Sequence, residues 1–570
     1  MIDSEGVAQA PVRFIVMKKF FYIIGVAAAF AGMAATAAVP AAARKDDFAR
    51  KLRTFNAIVK ELQTSYVDTL DANDIMDKTI GALLYQIDPY TEYYPAGNQE
   101  ELLSISQGQY AGIGSTIVKR GDKVFVSEPT WDSPARRTGL RPGDVIVAVD
   151  GDTVRADTEI GDVSRRLRGQ AGTVVRVDVN RPYTEDSLLT FEITRADIKV
   201  NPLPYYGVAP DGTGFLRLTT FNESSARHVR DAVSAMLKNP ALKGIVLDLR
   251  GNGGGLLESA VQIVGNFVPK GTEVLRTRGR DSRGEKVYKT THQPLSATIP
   301  LVVLTDEGTA SASEIVAGSL QDLDRAVIVG QRSFGKGLVQ TTRPLPFDDI
   351  MKVTTGRYYI PSGRLIQALD YSHRNPDGTP ARTPDSLTNE FRTRAGRIVR
   401  DGGGITPDVT VDTREMNRLI YNIISDFWAF DFANRYVAEH PDSVPADQFA
   451  LPDSVFDSFK AFIDPARFKY DRQSESALDY LRTTAKNEGY MTDTVAARLD
   501  ALAALLKHDL NHDLDLNRSD IMEILGDEIA ARYYDDATRC RLTLPDDSVY
   551  ARAVELIGNP EEYRRILSPE

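Results

Sequence analysis

The sequence predicts a multidomain α/β (α+β) protein: a layered α/β core, an inserted β domain, and helical regions at both ends. Three observations carry this. Glycine-punctuated, β-branched stretches crowd residues 109–181. From 214 to 330, short apolar runs alternate with amphipathic stretches of helical length. Beyond Asp408 the β signals give way to charged and aliphatic residues at helical spacing. At 570 residues the chain is too long for one ordinary domain; a prior of roughly 100–200 residues per domain gives about three to five. The expected boundaries are a leader at 1–43, a helical region at 44–98, the β domain at 99–198, the α/β core at 199–410 and a helical region at 411–570.

Taken in order, the leader comes first. Met17-Lys18-Lys19 is a short positive segment, Phe20 to Ala38 is apolar, and Ala35-Thr36-Ala37 is a small-x-small cleavage site. A second such site ends at Ala43. This pattern is a secretory signal peptide whose start is Met17. It implies an exported, periplasmic protein; a secreted protein, or one anchored by an uncleaved segment, are the alternatives. No cysteine stands at the site, which excludes a lipoprotein. Phe48, Leu52, Phe55, Ile58, Val59 and Leu62 then recur at three- and four-residue steps, so the pattern from Asp46 to about Ala96 is helical, with a second helix from Ala72 to Ile87. Both are read as packing elements.

Gly112 to Val118 is a glycine turn entering a strand, and Val124-Phe125-Val126 is another strand. In the core, Gly214–Leu218, Gly244–Arg250, Pro300–Thr305 and Ala326–Gly330 are strands, and Ser224–Leu237, Leu256–Phe267 and Ser313–Leu323 are helices. The near-continuous apolar run Gly244–Arg250 belongs to a sheet buried on both faces, and the alternation gives βα units. The C-terminal region shows helical spacing in Leu478-Leu481 and in Val495, Leu499, Leu502, Leu505 and Leu506.

Composition narrows the chemistry. A net charge of −11 argues against nucleic acid as the main partner. Cys540 is the only cysteine, so disulfide frameworks and cysteine zinc sites are excluded, and it reads as a small buried apolar residue. Six histidines are scattered, none near the small-residue cluster Gly308 to Glu314. His508 and His512 are four apart, and Asp513, Asp515 and Asn517 resemble the start of a calcium loop, but the glycine and glutamate such a loop needs are missing. No metal and no cofactor is implied.

Ser311 lies among small residues, between a buried strand and a helix, and Lys336 is fenced by Gly335 and Gly337. A serine there is open to close approach by a substrate backbone, and together the two suggest a serine nucleophile with a lysine base. Such a lysine works only if its surroundings lower its pKa. The structural alternative is that Ser311-x-x-Glu314 is a capping box and Lys336 a solvated lysine. Gly253 to Gly255 lacks the ending of a phosphate loop and is better placed to supply an oxyanion N–H.

The segment Gly139-Leu140-Arg141-Pro142-Gly143-Asp144-Val145-Ile146, running on to Gly151, resembles a PDZ domain of the bacterial, circularly permuted kind. Such domains bind by strand addition, with exposed N–H groups at Gly112, Ile113 and Gly114 to capture a terminal carboxylate. Leu247 to Arg250 with its glycines, Ala310-Ser311-Ala312-Ser313-Glu314, Phe334-Gly335-Lys336-Gly337 with Val339-Gln340, Tyr359 to Arg364 and Gly404 to Asp408 complete a pattern spanning 110–410. The chain resembles the C-terminal processing peptidases (tail-specific proteases), serine endopeptidases with a Ser-Lys dyad and an embedded PDZ domain. The resemblance implies Ser311 as nucleophile, Lys336 as base, Gln340 as the residue orienting the lysine amine, and an oxyanion hole from the N–H groups of Ala312 and of Gly255 or Gly254. It also implies unfolded or tail-exposed protein substrates and no nucleic acid. Asp306-Glu307 departs from the family's usual asparagine and small or basic residue. A homodimer or an adaptor docked on the helical termini are the further partners considered, and a non-catalytic PDZ adaptor is the alternative function.

Overall fold

The structure is a computed structural model. It describes residues 41–568 except 97–98, 100–101, 103–106, 185–186, 282–283 and 413–415. The leader expected at 1–43 lies almost wholly outside the described residues. Among those described, no helix is long and apolar enough to cross a membrane. The chain divides into a unit ending at Ala82 and a larger one from Leu83 onward.

The first unit is helical: Ala41–Ser65, then most of Ala72–Tyr85. Its apolar stripe, expected to be a packing face, is exposed, with Phe48 at 71% and Ile58 at 53%. The helical pattern expected to reach Ala96 ends at Tyr85, because Asp88 turns the chain. Its carboxylate accepts the Tyr90 and Thr91 N–H groups at 2.8 Å each, and Glu92–Tyr94 then joins a sheet as a strand antiparallel to Ile350–Tyr359.

The core of the larger unit is a six-stranded sheet in the order Tyr205–Val208, Thr213–Arg217, Gly244–Asp248, Leu301–Thr305, Val327–Gly330, Val409–Thr410, parallel except for the first pair. The four strands and three helices expected between 214 and 330 fall within three residues of their expected positions; the edge strands Tyr205–Val208 and Val409–Thr410 were not expected. Alternation decides what each face meets. Ile245, Leu247, Leu301, Val303 and Ile328 pack with the helices Ser225–Met236, Leu257–Val264 and Ala312–Asp322. Val246, Val302, Leu304, Val327 and Val329 pack with Val549, Ala553, Leu556 and Ile557 of the helix Ser548–Gly558 and with Tyr563 of Pro560–Leu567. The second cover of the sheet is thus supplied from the far end of the chain. Gly244 is fitted to it, since a Cβ there would lie 2.7 Å from Ile557.

The helices Arg418–Ser425, Trp428–Glu439, Ser454–Phe462 and Arg518–Tyr533 form their own core around Phe432, Phe456, Phe459 and Ile521. Cys540 is buried, as expected of a small apolar residue. The inserted β domain is an antiparallel sheet in the order Ser115–Arg120, Lys123–Pro129, Val145–Val149, Val174–Asn180, Leu188–Thr194. The helix Ile160–Leu167 buries Val163 and Leu167 in the domain core. Gln109–Gly112 pairs with Ala196–Lys199 where the chain enters and leaves.

Candidate active site

The strand Leu301–Thr305 ends in a loop that turns into the helix Ala312–Asp322 at Ser311, whose φ of 57° is a left-handed value costly for a residue with a Cβ. Such strain persists only where surroundings over-determine it, and here they do. Asp306 Oδ1 accepts the Gly251 and Gly308 N–H groups at 2.9 and 3.0 Å. Asn252 accepts the Ala310 N–H at 3.0 Å and the Ser313 hydroxyl at 2.8 Å on its carbonyl, while its amide donates to Leu218 at 2.7 Å. The glycine loop after Gly244–Asp248 is thereby stapled to the serine turn. The Asp306 departure from the usual family residue does part of this stapling.

The capping box of Ser311 with Glu314 forms, but Glu314 is more than a cap. Its buried carboxylate accepts the Ser311 N–H at 2.8 Å, the Ser333 hydroxyl at 2.6 Å and the Gly335 and Lys336 N–H groups at 2.8 Å each. Burial pushes the Glu314 carboxyl up on balance, with these hydrogen bonds opposing the rise. Three of the donors are backbone N–H groups that cannot reverse, so both carboxyl oxygens act as acceptors here. Ser333 Oγ in turn accepts the Ile405 N–H at 2.7 Å. The motif at Gly404 to Asp408 thus braces the lysine loop. Arg364 meets Asp322 at 2.9 Å in the interior and so braces the other end of the helix.

The glycines beside Lys336 answer to close packing as much as to flexibility. A Cβ on Gly335, whose φ is 92°, would lie 2.4 Å from Ala368 Cβ, and one on Gly337 2.9 Å from the Gln367 nitrogen. The Tyr358 hydroxyl sits 3.1 Å from the Ser311 carbonyl and 2.8 Å from that of Lys336, joining the two halves again.

The Lys336 amine makes no ion pair among the described residues and lies over the Tyr90 ring, 3.9 Å from its centroid. Burial, followed by the nearby Lys352 charge, lowers it from 10.5 to about 8, against the pull of Asp88, Glu314 and Glu92. The Gln340 amide donates to Thr354 Oγ1 at 3.2 Å rather than to the lysine. A bulge between Val339 and Gln340, where the strand Leu338–Pro344 pairs with Ile350–Tyr359, accompanies this orientation.

Of the two loop glycines, Gly254 donates its N–H to Asn252 Oδ1 at 2.9 Å. A Cβ on it would lie 2.8 Å from the Ala310 carbonyl, the Ala312 nitrogen and Ser311 Cβ, so its role is to let the two loops touch. The N–H groups of Gly255 and Ala312 have no acceptor among the described residues, and they flank the same turn.

In the β domain, the Ile113 and Gly114 carbonyls accept the Ala135 and Thr130 N–H groups at 2.9 Å each, while their own N–H groups have no acceptor among the described residues. The strand Ser115–Arg120 pairs on one side only. Both ring nitrogens of His508 are taken, by Ser474 at 2.8 Å and Asp513 at 2.7 Å.

Sequence reasoning missed three residues. Glu314 was read only as a cap. Tyr90 carried no signal beyond lying in an expected helical region. Asn252 was passed over among glycines.

Comparison with known proteins adds the following. The model of "Peptidase family S41" matches residues 212–372, that of "PDZ domain" residues 125–181, and that of "Probable PDZ-protease, C-terminal helical domain" residues 419–557. The chain is 35% identical over 323 residues to a carboxy-terminal-processing protease of Bartonella bacilliformis, covering 56% of this chain and 73% of that protein. It is 35% identical over 301 residues to a chloroplastic C-terminal processing peptidase of Tetradesmus obliquus, covering 50% and 64%. A probable CtpA-like serine protease of Staphylococcus aureus is 30% identical over 383 residues, covering 66% and 68%.

Proposed function

The chain belongs to the carboxy-terminal-processing protease family of serine-type peptidases, and from that premise we propose that it cleaves polypeptides by a Ser311–Lys336 dyad. Neutral Lys336 takes the Ser311 hydroxyl proton as Oγ bonds to the substrate's carbonyl carbon. The oxyanion that forms is held by the Ala312 and Gly255 N–H groups, an arrangement worth about 3–4 kcal/mol per essential donor. The lysine ammonium then protonates the departing amine as the C–N bond breaks, leaving an acyl-enzyme. Water, deprotonated by the same lysine, releases the new carboxylate and frees Ser311. Gln340 orients the lysine amine once that amine leaves Tyr90 and the glutamine leaves Thr354.

The observation that carries this reading is the buried Glu314 carboxylate holding the Ser311 and Lys336 N–H groups together, each at 2.8 Å. Substrates are unfolded or tail-exposed proteins. Their last residues add as a strand along Ser115–Arg120, with the terminal carboxylate at the Ile113 and Gly114 N–H groups. Export to the periplasm rests on the leader pattern from Met17 to Ala43.

The test is cleavage of an unfolded protein with an apolar tail by the leaderless protein. Cleavage by the parent and its loss in Ser311→Ala and Lys336→Ala are expected, with both variants folded. Full activity in either variant sinks the dyad. Tail binding with no cleavage by the parent moves the function to the adaptor reading.

A further inference from the structure

A cleft of about 620 Å³ opens beside the lysine loop. It is lined by Leu338, two residues past Lys336, and by Tyr371, whose hydroxyl meets that of Tyr90 at 3.0 Å. Arg278, Arg280 and Arg357 also line it. Arg278 and Arg357 stand directly opposite each other where the strand Glu273–Gly279 pairs with Ile350–Tyr359. Arg280 follows the last residue of that strand, Gly279, and lines the same cleft. Like charges directly opposite across a sheet destabilise it, so this wall is built against the sheet's own interest.

Among the described residues, local acids neutralise only part of it. Glu285 meets Arg278 at 2.7 Å and Arg276 at 3.1 Å, and Arg278 also lies over the Tyr359 ring. Arg280 and Arg357 have no carboxylate or hydrogen-bond partner among the described residues. Two acids border the cleft, and both are turned into their own loops. Asp88 accepts from Tyr90 and from the N–H and hydroxyl of Thr91. Asp370 accepts from Ser372 and contacts His373. The cleft therefore carries two open guanidinium groups, whose planar forks suit a carboxylate.

We propose that Arg280 and Arg357 seat a carboxylate of the polypeptide being cut, either an Asp or Glu side chain or a chain's terminal carboxylate. This rests on the protease reading, and it makes the cleft a specificity site beside the lysine, separate from the tail site of the β domain.

The test measures binding to the full-length Ser311→Ala protein, so it does not require cleavage. The probes are short fluorescent peptides of one sequence carrying Glu-Glu or Gln-Gln, each with a free or amidated C-terminus. A preference of about tenfold is expected for the peptide bearing the recognised carboxylate, the size of one charge-assisted hydrogen bond. Adding Arg280→Gln and Arg357→Gln removes that preference, and Arg280→Glu with Arg357→Glu transfers it to a Lys-Lys peptide. The Glu-Glu arm reports side-chain recognition and the amidation arm terminal recognition. An amidation effect surviving the double variant belongs to the β domain and overturns the terminal form of the proposal. Equal binding of all peptides, absence of binding, or a Glu-Glu preference surviving the double variant overturns it altogether. Failure of the protease reading shows separately, as no cleavage of any peptide by the parent.

Discussion

The serine turn and the lysine amine are built on opposite principles. In the serine turn, backbone and side-chain polar groups are tied: Ser311 to Glu314, Ser313 and Ala310 to Asn252, Gly251 and Gly308 to Asp306. Among the described residues, the Lys336 amine has only the face of Tyr90. Yet the same carboxylate anchors both halves, because Glu314 holds Lys336 by its backbone N–H and not by its amine. The difference matters electrostatically. A direct ion pair with the amine would favour the ammonium and raise its pKa. Anchoring the backbone fixes the lysine's main chain and leaves burial free to lower the pKa of its amine. On the proposed dyad, the groups assigned as nucleophile and oxyanion donors are preorganised, while the assigned base stays tunable.

The sharpest way to break this comparison is Glu314→Gln. A carboxamide turns one oxygen into an NH₂ facing two N–H groups, or facing one N–H and a hydroxyl. A loss of about 3 kcal/mol in stability is expected, with a fall in kcat/KM of about 100-fold from displaced catalytic groups. Denaturant midpoints and peptide cleavage check both. Unchanged stability would mean the four hydrogen bonds do not hold the two loops together.

The tunable half is tested by pH. With Lys336 at about 8 in the folded protein, kcat/KM should rise with pH through that value. The stability sign follows from the same shift. Below about 8 the lysine is charged in both states, and its burial costs stability. Between about 8 and 10.5 the folded form sheds its proton first, so stability rises with pH across that window and the cost is gone above it. Tyr90→Leu removes the ring face that favours the ammonium, and should move the rising limb down by up to about one pH unit, a gain of several-fold near pH 7. Tyr90→Phe should leave the limb where it is. A limb that fails to move in the leucine variant would remove Tyr90 from any role at the base.

The smallest effect is expected on the far face of the sheet. Asp547 caps the helix Ser548–Gly558 through the Val549 and Tyr550 N–H groups and pairs with Arg250 at 2.5 Å. Asp547→Ala should cost about 1–2 kcal/mol and change cleavage less than either variant above. A large loss of cleavage at unchanged stability would show that Arg250 transmits the tail's position to the glycine loop.

The elements around the site were legible because each has a local signal. Gly244–Asp248 and Leu301–Thr305 read as doubly buried strands, and Ser311 as a turn before a helix, from apolar runs and small residues alone. Glu314 read as a cap because its partner three residues back is local; Ser333, Gly335 and Lys336 are not. Tyr90 sat in a stretch read as helical, and only pairing of Glu92–Tyr94 with Ile350–Tyr359 carries it to the lysine. Gln340 was expected on the amine, and the bulge beside it accompanies its turn to Thr354.

By itself the sequence determined the α/β layering, the inserted β domain and the helical ends, because strand, helix and turn preferences are set within a few residues; it offered Ser311 and Lys336 as candidates through their small-residue and glycine settings and the family resemblance. Only the tertiary structure decided three things. It set which helices cover the second face of the sheet, which aromatic ring meets the lysine, and which of Gly254 and Gly255 keeps a free N–H. Those depend on contacts between residues far apart in the chain, where apolar burial states that a face must be covered but not by what.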